Sequence, residues 1–295
     1  MNKSILLIGN NGQVGTELQN ILPSEYQVIG LARPQIDLTQ GHKLREIIQA
    51  IKPEIIINAA AYTAVDKAES EPEIAHTVNA IAPQILAEES QKLGSFLIHI
   101  STDYVFDGNS NYPYQETDIT NPLSIYGKTK LGGEIAIQQI CSDYIILRTA
   151  WVYGTYGKSN FVKTMLRLGK DRPEVRVVAD QIGSPTWSYD IAFTISQIIP
   201  QLTSEITGIY HYTNSGVASW YDFALAIFEE AQKLGFPLQI NQVIPITTPE
   251  YPTAAKRPAY SVLGCRKISQ LLGTYPPHWR QRLILMLGEL RKTGS

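Results

Sequence analysis

The sequence predicts an α/β fold: a doubly wound parallel sheet of the Rossmann type, with a smaller C-terminal α/β lobe. Three observations carry this. Short runs rich in Ile, Leu and Val are continuous rather than alternating, the pattern of strands buried on both faces. These runs alternate with amphipathic helical patterns, so successive strands are joined by crossovers and lie parallel. The first run ends in glycines just where a helical pattern begins.

Taken in order, residues 5–8 (Ile-Leu-Leu-Ile) read as the first strand, followed by Gly9 and an amphipathic stretch over 14–22 that Pro23 stops. Residues 27–31 read as the second strand. Leu44, Ile47, Ile48 and Ile51 recur at helical spacing, and Pro53 ends that element. Residues 55–57 form the third strand, a long helical pattern covers 73–93, and residues 96–100 and 144–147 supply two further strands. After Trp151 the rhythm changes. Strand-like pieces at 175–178, 208–212 and 242–246 are shorter and irregularly spaced, between helical patterns at 161–168, 190–199, 220–234 and 279–290.

Composition narrows the class. The chain has 295 residues, 44% hydrophobic and 18% charged, a globular balance that excludes a disordered chain. Lys and Arg number 25 against 27 Asp and Glu, so no broad attraction to nucleic acid or an anionic membrane is expected. A local basic pocket for one phosphorylated ligand stays open. No stretch approaches the ~20 apolar residues of a membrane span, and the first apolar run is too short for a secretory signal. Two cysteines, Cys141 and Cys265, form no disulfide framework, so a cytoplasmic location is expected. The histidines (His42, His76, His99, His211 and His278) show no metal-ligand spacing.

Gly9-Asn10-Asn11-Gly12-Gln13-Val14-Gly15 is a GxxGxxG loop between strand and helix. Glycine permits a positive φ in the tight turn, and a missing Cβ lets a pyrophosphate approach the backbone. The N–H groups opening the helix then receive that anion. After the first strand of a βαβ unit, the loop points to a dinucleotide, with Gly9, Gly12, Gln13, Val14 and Gly15 as its seat. NAD enzymes place an acid at the end of the second strand, where this chain has Ala32-Arg33-Pro34. Arg33 suits a 2′-phosphate, which favours NADPH with NADH still admitted; it reads equally well as a solvated surface residue. Asp37 and Leu38 fall where an adenine could rest. Ala60, Ala61 and Tyr62 follow the third strand, and the alanines leave room for a cofactor there. The expected division is therefore a dinucleotide-binding domain over 1–150 and a mainly substrate-binding lobe over 151–295, the two free to interleave.

Tyr126-Gly127-Lys128-Thr129-Lys130 contains YxxxK, which puts Tyr126 and Lys130 on one helix face. A lysine charge favours tyrosinate, so it is expected to lower the phenol's pKa from about 10 and make it a usable acid or base. Thr102, just past the fourth strand, offers a hydroxyl to the oxygen that Tyr126 protonates.

Together with Asn58 to Asp66, Ser101 to Gly108, Arg148 to Gly154, Asp180 to Thr186 and Arg257-Pro258, these motifs run nearly the whole chain in order. The sequence resembles the extended short-chain dehydrogenase/reductase superfamily and, within it, the family of dTDP-4-dehydrorhamnose reductases. Asp103-Tyr104 differs from the Asp-Glu pair of the related dehydratases. The resemblance implies NADPH-dependent reduction of the C4 ketone of dTDP-4-dehydro-β-L-rhamnose to dTDP-β-L-rhamnose. It implies Tyr126 as proton donor, Lys130 as its tuning partner on the nicotinamide ribose, and Thr102 on the reacting oxygen. Asp103, Trp151 and Arg257 are the implied substrate contacts, Arg257 being the cation for the diphosphate, with Asn160, Gln181 and Trp187 weaker ones. Some relatives use Mg²⁺ at a dimer contact. Glu17 matches one such position, but the acids expected after Thr186 reduce to Asp190, so metal dependence is not expected; a homodimer is admitted. Two alternatives stay open in the sequence. One is another nucleotide-sugar reductase or epimerase of the superfamily. The other is a non-catalytic NADP-binding regulatory subunit of the methionine adenosyltransferase type.

Overall fold

In the computed structural model, residues 3–22 and 26–293 are described; Pro23, expected to stop the first helix, lies outside them. The first half alternates β1 (Ser4–Ile8), α1 (Gln13–Ile21), β2 (Gln27–Leu31), α2 (Gly41–Ile51) and β3 (Ile55–Asn58). Short helices α3 (Val65–Ala68) and α4 (Pro72–His76) lead into a π-helical segment, Thr77–Ile81, and α5 (Ala82–Leu93). β4 (Phe96–Thr102), α6 (Ile125–Ile140) and β5 (Tyr144–Thr149) complete this half.

The second half comprises β6 (Val152–Tyr153), α7 (Phe161–Asp171), β7 (Glu174–Val178), β8 (Ile182–Gly183), β9 (Thr186–Trp187) and α8 (Ser188–Ile198). β10 (Gly208–His211), β11 (Ala218–Ser219), α9 (Trp220–Lys233), β12 (Gln242–Ile246), α10 (Arg266–Leu272) and α11 (Trp279–Lys292) follow. The described helices include none long and apolar enough to cross a membrane.

Six strands form one parallel sheet in the order β10-β5-β4-β3-β1-β2. β1, β3, β4 and β5 are buried on both faces, the reason their sequences do not alternate. One face packs on α1 and α8 through Val14, Leu18, Ile191 and Ile195. The other packs on α2, α5 and α6 through Leu44, Ile48, Leu86 and Ile137. Chain direction across the sheet reverses between β1 and β3, which opens a crevice at their carboxyl ends, where open α/β sheets take ligands.

The edge strand β10 comes from residues 208–211, beyond position 150, and α8 from the same half covers α1. The sheet of the first half is thus completed by the second. The remaining C-terminal elements share a separate core in which Phe223, Ile227, Leu283 and Met286 pack with Tyr153 and Trp187. The helical pattern over 73–93 is realised with a π segment in its middle, where Asn79 turns its amide inward.

Candidate active site

The glycine loop is built by close backbone approach. Gly9 has φ +86°, and its N–H donates to Leu31 O at 2.7 Å. A Cβ on Gly15 would stand 2.1 Å from the Gly9 carbonyl oxygen, and one on Gly9 2.8 Å from Ala60 N. A side chain on Gly15 would force α1 away from the strand end, and one on Gly9 would push against the backbone that follows β3. Gly12 caps α1 without a side chain, so the first-turn N–H groups, Gln13 to Gly15, face the crevice mouth with no intrahelical partner. This cradle fits a dinucleotide pyrophosphate. Ala60 and Ala61 are half-buried at the facing strand end. The Tyr62 backbone is gripped there by Asn79, which accepts from Tyr62 N at 2.8 Å and donates to Tyr62 O at 3.1 Å.

Beyond β2 the chain carries Arg33, Asp37 and Leu38. Arg33 is exposed, as a phosphate-reading cation should be. Asp37 and Leu38 both have partners within the fold. Asp37 Oδ1 accepts from Thr39 N at 2.9 Å and Thr39 Oγ1 at 2.8 Å, which hold its carboxyl below the usual range. Leu38 is buried in the core that holds Leu6 and Ile8.

Thr102, Asp103, Tyr126 and Lys130 are brought together where β4 ends and α6 begins. Ser124 caps α6 by accepting from Gly127 N at 3.1 Å. α6 lies so close to the turn after β4 that a Cβ on Gly127 would stand 2.3 Å from Tyr104 O. Thr102 Oγ1 accepts from Tyr104 N at 3.2 Å, donates to Asp103 Oδ1 at 3.0 Å and stands beside the Tyr126 phenol. The Tyr104 ring meets the Tyr126 ring edge-on, with centroids 5.4 Å apart.

The electrostatics reverse one expectation. Burial pushes the Tyr126 phenol up to about 12, Thr102 only partly opposing and the Asp103 charge adding to the rise. The protein groups therefore keep Tyr126 protonated, the form a proton donor needs. Burial also brings Lys130 down to about 8, with Glu134 opposing, and raises Asp103 to about 6. Lys130 Nζ donates to Ile100 O at 2.7 Å and lies 3.2 Å from His99 Nε2.

On the second side of the crevice, Trp151 has φ +49°, a strained conformation for a non-glycine residue, and stacks on Trp220 with centroids 3.5 Å apart. Gln181 donates to Thr248 Oγ1 at 3.0 Å. Thr248 opens a groove of about 310 Å³ that runs along the 251–257 loop to Arg257. Arg257 forms a fork with Asp66, at 3.1 and 2.7 Å, and hydrogen-bonds Tyr104. Tyr104 thus links the groove to Tyr126.

Asn160 has its hydrogen-bond partners within the fold. It caps α7, accepting from Lys163 N at 3.0 Å, and donates to Gln13 Oε1 and Gly154 O, both at 2.8 Å. Both amide hydrogens are used, and the residue ties the C-terminal half to the glycine loop. Trp187 is buried in the C-terminal core.

Several residues escaped sequence reasoning. Asn58 entered only as the first residue of a motif, and His99 lies within an apolar strand. Asn79 lies inside a helical pattern, where the π segment left no mark. Glu134 and Arg148 form a fully buried pair beneath α6, linked at 2.7 Å, with Ser101 Oγ donating to Glu134 at 2.5 Å. Only the i, i+4, i+8 spacing of Tyr126, Lys130 and Glu134 could have signalled the last.

Two further acids, Glu289 and Asp190, stand close enough to Glu17 to act on its charge. Burial and the Glu289 charge push Glu17 up to about 7. Both Asp190 oxygens are held by Arg282, and Asn214 donates to one of them. The described residues contain no group of three or more His, Cys, Asp or Glu side chains that could hold a metal.

A parallel-sheet crevice, a glycine cradle and a Thr-Tyr-Lys constellation define a dinucleotide-dependent oxidoreductase of the extended short-chain dehydrogenase/reductase class. Within it, the family model described as the RmlD substrate binding domain matches residues 2–292, and the chain belongs to that family. It is 43% identical over 298 residues to dTDP-4-dehydrorhamnose reductase of Escherichia coli K12, covering 99% of each chain. It is 46% identical to the enzyme of that name from Aggregatibacter actinomycetemcomitans, covering 95% of this chain and 96% of the relative. A crystal structure of dTDP-4-dehydrorhamnose reductase from Bacillus anthracis in complex with NADP superposes with a TM-score of 0.91 at 40% identity, covering 98% and 100%. A UDP-glucose 4-epimerase from Thermus thermophilus, at 19% identity and a TM-score of 0.81, shares the fold.

Proposed function

We propose that this chain reduces the C4 ketone of dTDP-4-dehydro-β-L-rhamnose with NADPH, giving dTDP-β-L-rhamnose. Family membership supports the reaction. The observation that carries its chemistry is the Tyr126 phenol set beside Thr102 at the carboxyl end of β4, where burial favours its protonated form. NADPH, when bound, supplies the hydride that C4 accepts. Tyr126 gives its proton to the carbonyl oxygen as that oxygen gains charge, and Thr102 orients the pair. Lys130, on the same helix face, takes the nicotinamide ribose. Gly9, Gly12, Gln13, Val14 and Gly15 hold the pyrophosphate, with Ala60, Ala61 and Tyr62 along the facing edge and Arg33 toward the 2′-phosphate.

On the substrate side, Asp103 and Trp151 face the deoxysugar, while Gln181 and Arg257 flank the groove assigned to the nucleoside diphosphate. Residues 151–295 thereby act mainly as the substrate lobe. This reading places the protein in the cytoplasm. A homodimer is tested by its mass in solution.

The deciding experiment supplies NADPH and dTDP-4-dehydro-L-rhamnose, made in situ from dTDP-glucose by the preceding enzymes. NADPH oxidation with dTDP-rhamnose as the NMR-identified product is expected. Tyr126→Phe is expected to lose about 10²–10⁴ in turnover and to keep its NADPH affinity. No oxidation by a protein that binds NADPH tightly would refute the substrate.

A further inference from the structure

Beneath Lys130, β3 and β4 bury two polar side chains, Asn58 and His99, that the proposed reaction does not use. Their hydrogen bonds have a fixed polarity. The Ala60 backbone N–H, which can only donate, lies 3.2 Å from Asn58 Oδ1. That sets the oxygen end of the amide and leaves its NH₂ end facing His99 Nδ1 at 3.0 Å. An amide NH₂ is a donor, so Nδ1 must be the lone-pair nitrogen of the imidazole. A neutral ring then carries its hydrogen on Nε2, 3.2 Å from Lys130 Nζ. An ammonium group has three hydrogens and no lone pair, whereas an amine has one. Only the amine accepts from Nε2–H while still donating to Ile100 O at 2.7 Å.

We propose that Asn58 and His99 form a polarity relay that favours the uncharged amine of Lys130. Protonation of Lys130 then requires His99 to move its hydrogen to Nδ1 and Asn58 to release the Ala60 N–H. Both are positioning residues that act through Lys130.

The other groups around Lys130 define what the relay works against. Glu134, one turn further along α6, favours the ammonium. Its own charge is matched by Arg148 of β5, which lies 3.4 Å from His211 of β10. Tyr126, one turn back on α6, remains a neutral phenol, and Asp103 lies beyond it at the end of β4. Burial and the Lys130 charge both oppose a second proton on His99, so it answers Lys130 by changing tautomer rather than charge. The consequence for turnover rests on the proposed function: the ionisation that turnover shows near neutrality belongs to the Lys130–His99 pair and not to the phenol.

The test is NMR of the full chain with ¹⁵N-labelled histidine and ¹³C-labelled lysine, His99 being assigned by loss of its signals in His99→Gln. At alkaline pH, His99 is expected as the Nε2–H tautomer. As Lys130 takes up its proton, His99 is expected to switch to Nδ1–H without becoming a cation. An Nδ1–H tautomer at alkaline pH, or a tautomer indifferent to Lys130, overturns the relay.

Asn58→Leu adds a test of sign. Replacing an amide by an apolar group would, through desolvation alone, push the Lys130 pKa further down. Release of the relay predicts a rise of about one pH unit, a tenfold gain in proton affinity; an unchanged or lower value overturns it. If Asn58→Leu fails to fold, the tautomer in the unaltered protein still decides. Neither measurement uses a keto sugar. An inactive protein with a switching His99 therefore refutes the substrate reading alone, and an active one without the switch refutes the relay alone.

Discussion

Asp103→Asn is expected to stabilise the protein near neutral pH while impairing the site. Asp103 is 2% exposed, and its Oδ2 has no hydrogen-bond partner. Ser261 and Thr102 favour its charge, but burial outweighs them and raises the carboxyl from 3.8 to about 6. A carboxyl with a raised folded pKa contributes stability below its unfolded value, and that contribution is lost as pH rises through the folded value. The rise is about two pH units, so at about 1.4 kcal/mol per unit the ionised side chain costs about 3 kcal/mol above pH 6. The amide carries no charge to bury, but it places an NH₂ where Oδ2 stood, at a cost of about 1–3 kcal/mol if unpaired. The net expectation is a gain of about 1 kcal/mol at about pH 8. The gain should vanish or reverse at about pH 5, where the wild-type carboxyl is itself largely protonated. Urea denaturation of both proteins at the two pH values measures this, and turnover of the keto sugar should fall in the same variant. A stability difference independent of pH would refute the reasoning.

Glu134→Gln should destabilise by about 3–5 kcal/mol, because Arg148 is left buried without its charge partner. Adding Arg148→Met should restore most of that in urea denaturation. Gly127→Ala drives a Cβ to within 2.3 Å of Tyr104 O. The expected cost is about 1–3 kcal/mol, with a larger proportional loss in kcat than in NADPH affinity, read by steady-state kinetics and fluorescence titration. Asn160→Ala removes the α7 cap, at a cost of about 1 kcal/mol, together with the bond to Gln13. It should weaken NADPH binding several-fold and leave the sugar KM nearly unchanged; the opposite pattern would place Asn160 at the sugar.

What could be read from the sequence was what is local. The strands β1, β3, β4 and β5 announce themselves because burial on both faces demands continuous apolar runs. Tyr126 and Lys130 share a face because helical spacing alone puts them there. Thr102 joins them because β4 ends just before the chain turns toward α6. What could not be read depends on pairs far apart in the chain. Arg257 meets Asp66 across 191 residues, and Asn160 meets Gln13 across 147. Nothing near position 160 distinguishes a helix cap that also holds a glycine loop from one that faces a sugar. The π segment was invisible for a related reason. Asn79 is set there by Tyr62 and Thr129, not by any break in the helical pattern of its own neighbours.

The charge distribution around α6 follows from one constraint. Tyr126, Lys130 and Glu134 occupy one face at successive turns, but only the deepest meets an opposite charge, Arg148, in direct contact. Nearer the crevice, burial pushes three groups toward neutrality: Asp103 up, Tyr126 up, Lys130 down. A helix carrying three polar residues into a sheet face needs at least one satisfied anchor, and the Glu134–Arg148 fork supplies it. The anchor ties α6 to β5 on the helix face that also carries Tyr126 and Lys130. Weakening the fork should therefore reach the chemistry through geometry as well as charge. Arg148→Lys retains the charge and loses the fork, so any turnover it loses beyond its loss of stability measures the geometric part.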